Sequence, residues 1–440
     1  MNNKYRNDQS HDGANAARFG RRDALKAIVA LPLAASSVRL WAAPKPSRPK
    51  LLVVFLRGGY DCASLLVPTS SSFYYESRPN IAIAKPVEKA AITAVGSSAL
   101  TVGPSASTVG SSASAVGASA LPLDADWGLH PALAASLHPL WQAGQLAFVP
   151  FAGIEDTSRS HFATQDAIEL GQPLDSRRDF QSGFMNRLAS IVAHDTSIAF
   201  SDQLPVTFRG AERTANVAIR NVTKSQIDAR QTAAIAAMYR DTAYATPVSD
   251  GFAMRDALAK EMMSEMEASA RNAVSATGFE LEARRIARLM RDRYALGFVD
   301  VGGWDTHVGQ GGASGVLATR FNALGRGLAA LATEMGPAWN DTTVVVMSEF
   351  GRTFRENGNR GTDHGHGSVY WVLGGGIRGG RVAGEQVKVD ATTLFQDRDY
   401  PVLNEYRAVL GGLAARMYGL SNEQVQRVFA GSSPRDVGVI

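Results

Sequence analysis

Cysteine is nearly absent: Cys62 is the one thiol in 440 residues. A disulfide within the chain is thereby excluded, and so is a metal site built from several thiolates. Any resident metal has to be held by histidine and carboxylate. A dominant charge is missing too. Lys and Arg total 45 against 41 Asp and Glu, a net of +4. No dense basic run occurs, so nucleic-acid binding is not expected. No apolar stretch approaches the ~20 residues of a membrane-spanning helix, so no stable membrane span is expected. What remains is ordinary. With 45% hydrophobic and 20% charged residues, the chain suits one large α/β domain with insertions, or two domains.

The N-terminus reads as an address. Arg21 and Arg22 form a twin-arginine pair, a mild apolar stretch runs over 27–35, and Trp41-Ala42-Ala43 offers small residues for cleavage. Residues 1–45 therefore resemble a bacterial twin-arginine export signal. The implied partner is the twin-arginine export machinery, and the implied location is periplasmic or secreted. That route carries folded proteins, which suits a chain that acquires its metal before export.

Further on, apolar strand runs alternate with helical periodicity. Strands are expected at 51–56, 146–151, 298–301, 342–347 and 369–373. Helices are expected at 162–170, 183–193, 225–240, 314–335, 403–418 and 421–430, with a long or broken helix pair over 253–295. Strand runs that are apolar throughout belong in a sheet buried on both faces. The expected fold is α/β, a mostly parallel sheet covered by helices on each side. Residues 93–120 are built from Ala, Ser, Gly, Val and Thr with no charge or aromatic ring. They read as a low-complexity insertion with too little apolar bulk to pack.

Polar residues of metal-ligating type follow these strands directly. Asp61 comes after the first, Asp305 and His307 lie in Gly302-Gly303-Trp304-Asp305-Thr306-His307, and Glu349 ends Val346-Met347-Ser348-Glu349. His364 and His366 sit in Thr362-Asp363-His364-Gly365-His366-Gly367. Carboxylates and neutral imidazoles are what a divalent ion takes when thiolates are lacking. The expected cofactor is one or two divalent ions, Zn or Mn, with Ca or Mg as alternatives. Each motif also has a plain structural reading. Asp305 would serve as a helix cap, Glu349 as a partner for Arg352, and the two histidines as surface groups. Three of the seven histidines outside the signal segment fall in these motifs, which favours the metal. His130, His138 and His194 lack such company and read as structural.

Ser158-Arg159-Ser160-His161 stands between a strand and a helix start. A hydroxyl there faces free backbone N–H groups and the positive helix end, so Ser160 is a candidate nucleophile. It is equally a good N-cap. Arg57, Arg159 and Arg352 are candidates to grip an anionic group.

Together these motifs, with Leu56-Arg57-Gly58-Gly59-Tyr60-Asp61 and Ser348-Glu349-Phe350-Gly351-Arg352-Thr353, resemble the bacterial "domain of unknown function 1501" family over roughly residues 50–430. That family is similar to the alkaline phosphatase and sulfatase superfamily, which implies an αβα sandwich. The resemblance further implies metal-binding roles for Asp61, Asp305, His307, Glu349 and His364 or His366, with Ser160 (less favourably Ser158) as nucleophile. Phe350 stands where the superfamily has a histidine, so a full two-metal centre is not implied. The expected activity is exported metal-dependent hydrolysis of phosphate or sulfate esters, on a small anionic ester or a polysaccharide. The alternatives are a metal-stabilised binding or assembly protein without turnover, and a transferase onto a polysaccharide hydroxyl.

Overall fold

The computed structural model describes residues 48–86, 119–194, 196–218, 229–253, 256 and 278–440. The export-signal reading of 1–45 and nearly all of the 93–120 insertion lie outside the described residues, as does most of 253–277.

Nine strands form the principal sheet. In chain order they are β1 (Lys50–Leu56), β2 (Leu146–Gly153), β3 (Ser197–Phe200), β4 (Thr214–Asn216), β5 (Leu296–Val301), β6 (Thr342–Ser348), β7 (Ser368–Leu373), β8 (Arg381–Val382) and β9 (Asn404–Glu405). Their spatial order is β8-β2-β7-β6-β1-β5-β3-β4, with β9 beside β2. β1 is parallel to β5 and β6, and β3 to β4 and β5. β7 is antiparallel to both its neighbours, β2 and β6, so it alone runs against the rest.

The central strands form because they are mostly β-branched, aliphatic or aromatic and buried at nearly every position, as a two-sided sheet requires. Alternate residues then feed two cores. Leu52, Val54, Leu56, Val344, Val346 and Trp371 face one side. Leu51, Val53, Phe55, Val345, Met347 and Tyr370 face the other. Each large side chain so buried contributes about 1.5–3 kcal/mol relative to exposure.

Helices cover both faces, giving an α/β sandwich. On the first face lie α3 (Phe279–Asp292) and α4 (Val316–Met335). α3 buries Phe279, Ala283, Ile286, Ala287 and Met290 at helical spacing, with Glu280 and Glu282 in its first turn to complement the helix dipole. On the second face lie α1 (His161–Leu170), α2 (Phe184–Val192), α5 (Tyr406–Tyr418) and α6 (Asn422–Val428). α1 stops at Gly171, which takes the left-handed conformation (φ 64°) that favours glycine. The 225–240 expectation corresponds to a helix over Ala229–Tyr239. A second small antiparallel sheet of Leu66–Pro68, Trp127–Leu129 and Leu121–Pro122 was not anticipated, because its strands are only two or three residues long.

Register decides what meets at the sheet edge. Leu56 lies level with Val301 of β5 and Ser348 of β6. Arg57, Gly302 and Glu349 therefore leave the sheet side by side. β2 ends on the same edge and leads into α1. Because β7 is reversed, its entering loop, with His364 and His366, reaches that edge too.

Candidate metal centre

Three imidazoles and one carboxylate converge above this edge. His161 is the first residue of α1, Asp305 and His307 lie in the loop after β5, and His364 lies in the loop before β7. Nε2 of His161 stands 2.9 Å from Nε2 of His364. Nε2 of His307 stands 3.1 Å from the same atom. Asp305 places Oδ1 2.9 Å from His307 Nε2 and 3.3 Å from His364 Nε2, and Oδ2 3.6 Å from His161 Nε2. The ligand atoms of His161, Asp305 and His364 all lie within 4.8 Å of one another, and His307 adjoins them beside Asp305 and His364.

The opposite nitrogens explain the orientation. Nδ1 of His161 bonds Glu349 Oε1 at 2.7 Å, Nδ1 of His307 bonds Asp363 Oδ1 at 3.0 Å, and Nδ1 of His364 bonds the Arg159 carbonyl at 3.0 Å. All three partners are acceptors, so each Nδ1 carries a proton and each ring turns its Nε2 inward. Lone pairs facing each other at this separation repel unless a proton or a cation lies among them. Histidine metal ligands are commonly backed by carboxylates and carbonyls in this manner. Charge agrees with a divalent ion: the carboxylates of Asp305, Glu349 and Asp363 against the guanidinium of Arg352 leave two net negative charges.

Electrostatics sharpen each role. The hydrogen bond to Glu349 raises His161 above the ordinary imidazole range, outweighing partial burial. Burial, reinforced by the neighbouring His161, lowers His364. Burial would raise Glu349, but bonds from His161, Gln165 and the Gly58 N–H hold it below the usual range. Asp305 is likewise held low by Arg352 against its burial. Arg352 is itself buried. It donates to Asp305 Oδ1, to the carbonyls of Gly59, Thr362, Gly58 and Trp304, and lies 3.4 Å from His307 Nε2. That arginine clamps three loops together and leaves Asp305 Oδ2 turned toward His161.

Several residues named from the sequence stand elsewhere. Asp61 is not among the clustered donors: its buried carboxylate accepts from Arg78 at 2.6 and 3.0 Å, from Ser64 at 2.7 Å and from Gln310 at 2.6 Å. Glu349 is a partner of His161 and not a member of the inward-facing set. Its oxygens also accept from Gly58 N, Gln165 and Ser348. His366 packs at a tilt on Phe395, ring centres 4.7 Å apart, and is not among the clustered donors. The arginines are committed as well. Arg57 binds Glu169, Asp300 and Gln165, and Arg159 binds Asp399 and Gln396. Arg57 also borders a cleft of about 430 Å³ next to Glu169, Asp202 and Asp300. Ser158 is tied to Asp156. Ser160 occupies the N-cap position of α1 without a capping bond from its side chain, and its hydroxyl makes no hydrogen bond among the described residues.

His161 is the donor that sequence reasoning missed. It lies inside Ser158-Arg159-Ser160-His161, where the two hydroxyls are the more conspicuous chemistry. His130 and His194 do have structural settings: His130 is buried against the Gly312 carbonyl, with burial lowering it to about 4, and His194 pairs with Glu212.

No curated protein matches the chain in sequence. A family model matches residues 48–429, covering all four converging donors, and the chain belongs to that family, described as "Protein of unknown function (DUF1501)".

Proposed function

We propose that this protein is an exported metal-dependent hydrolase of phosphate or sulfate esters, with one divalent ion held by His161, Asp305, His307 and His364 and with Ser160 as nucleophile. The observation that carries the reading is the set of inward Nε2 atoms, each backed by an acceptor at Nδ1. A three-histidine set with a carboxylate and no sulfur suits zinc best, and manganese next. When bound, such an ion polarises an ester oxygen and lowers the pKa of a nearby hydroxyl.

The chain's own groups would do the rest. Ser160, whose hydroxyl is uncommitted and whose neighbour is His161, supplies the attacking oxygen and gives its proton to solvent. The ester alcohol then leaves, and water hydrolyses the seryl ester. The N-terminal amides of α1 would face the anionic oxygens. The three arginines bind protein acceptors, so they would shape the site without gripping substrate. Ligand-bearing loops on one edge of a mostly parallel sheet support the alkaline phosphatase-like reading. The Asp61–Arg78 pair, together with Phe350 packed on His161 and His364, favours one ion over two. Export through the twin-arginine route to the periplasm completes the proposal, on the strength of Arg21-Arg22.

The same arginine commitments favour a second reading, a metal-stabilised binding or assembly protein without turnover. Elemental analysis of the purified chain, followed by phosphate- and sulfate-ester assays with Zn, Mn, Mg and Ca, separates the two. Turnover lost in Ser160→Ala with metal retained supports the hydrolase. Stoichiometric metal without turnover on any ester supports the scaffold. Absence of bound metal under every condition would sink both.

A further inference from the structure

The His364 ring is held by a carbonyl, and that carbonyl is aimed by an unusual backbone. Arg159 has φ 52°, the left-handed region, which is strained for a non-glycine residue and persists where surroundings enforce it. Its carbonyl accepts from His364 Nδ1. The Arg159 side chain is tied to Asp399, a carboxylate with no exposure to solvent. Asp399 Oδ2 accepts from Arg159 Nε at 3.1 Å and Nη2 at 2.8 Å. The same carboxylate accepts from Arg398 Nη1 at 3.0 and 3.2 Å, and Arg398 Nη2 in turn donates to the backbone carbonyl of His364 at 2.9 Å. The Asp399 backbone is fixed by paired bonds with Phe395.

Asp399 thus reaches His364 by two routes: through Arg159 to the ring, and through Arg398 to the main chain. We propose that Asp399 is a positioning residue for the metal centre, setting the direction of the His364 Nε2 lone pair without touching the cation. The inference rests on the metal-centre reading given above. It adds a residue some 35 positions from His364 in the chain, outside every motif that the sequence singles out.

The test uses the full-length protein, stripped of metal, with zinc and cobalt as probes. Zinc affinity is measured by competition with a chromophoric chelator, and the cobalt-loaded protein is read by its visible absorption. Asp399→Asn keeps the volume and removes the charge. Outer partners of metal ligands typically matter 10–100-fold in affinity, so zinc should bind 10–100-fold more weakly, with an altered cobalt spectrum; the thermal midpoint of the stripped protein should fall as well, because the variant removes a buried charge paired with two arginines. A second pair isolates the backbone: Arg159→Ala and Arg159→Gly both delete the ion pair, but glycine accepts positive φ freely. Arg159→Gly should retain several-fold tighter zinc binding than Arg159→Ala. This pair also decides the matter if Asp399→Asn does not fold. Wild-type zinc affinity and spectrum in Asp399→Asn, or equal affinities in the two Arg159 variants, would overturn the inference. A wild-type protein that takes up neither probe would instead remove the metal-centre reading itself.

Discussion

His161 and His364 point Nε2 at Nε2 across 2.9 Å, while the far nitrogen of each is anchored, one by Glu349 and the other by the Arg159 carbonyl. Wherever no proton lies between them, two rings locked in that attitude leave electron pairs in contact. A cation relieves the repulsion, so metal binding should stabilise the fold. At zinc 100-fold above its dissociation constant, linkage gives about 2.7 kcal/mol. Calorimetry with and without chelator should show a higher Tm for the loaded protein. His161→Ala and His364→Ala should lose that increment and bind less than one zinc per chain.

Acidification should release the metal. His161 is raised by Glu349, so its Nε2 takes a proton at higher pH than an ordinary imidazole. The group must be deprotonated to act as a ligand. Affinity should therefore begin to fall above the ordinary imidazole value of ~6.5, and keep falling as pH drops. In Glu349→Gln the onset should move to lower pH, because the charge that raises His161 is gone. Zinc titrations from neutral to weakly acid pH provide the check.

Asp61 makes a stability prediction and not a metal one. It is fully buried, its own desolvation is overcome by Arg78, and its pKa lies below the ordinary carboxylate range. A depressed carboxyl contributes stability above its unfolded pKa of ~3.9 and loses it as pH falls through the folded value. Asp61→Asn strands the Arg78 charge, and breaking a buried pair costs about 3–5 kcal/mol. Denaturant melts at pH 7 should show that loss, with bound metal per folded chain unchanged. The gap between variant and wild type should narrow in acid.

His366→Ala should leave metal content intact. The ring packs on Phe395 and is lowered by burial, so its deletion costs packing, about 0.5–1.5 kcal/mol for the aromatic pair. A parallel loss of metal in elemental analysis would place His366 in the centre after all.

Gly58 holds the loop after β1 against the loop after β5. Its φ is 121°, and a Cβ there would meet the Asp305 nitrogen at 2.7 Å. Gly58→Ala should push Asp305 outward, lowering both zinc affinity and thermal midpoint. A variant indistinguishable from wild type would mean that the two loops are not tightly apposed.

The continuous apolar run at 51–56 and the β-branched run at 342–347 announce their strands, since only a two-sided sheet buries them. The edge that carries the site followed from that. Orientation of the strand at 369–373 was not legible, because an apolar run reads the same in either direction. Asp305, His307 and His364 were named from their spacing, while His161 was hidden beside two more conspicuous serines. Asp61 and His366 had the right chemistry but different partners: whether a carboxylate meets a cation or an arginine depends on Arg78, 17 residues further on. Such pairings are set by tertiary approach, which local pattern does not encode.

The reversed β7 has a consequence for how the protein is assembled. Glu349, Arg352, Asp363 and His364 all lie on the connection between β6 and β7, so a hairpin-like closure gathers them within a span of 16 residues. His161, Asp305 and His307 arrive from far along the chain, through long-range strand pairings that are slow to form. One donor, His364, and the groups that back the others can therefore exist early in folding, while His161, Asp305 and His307 wait for the sheet. Ion capture then becomes a closing step, one that marks a finished molecule.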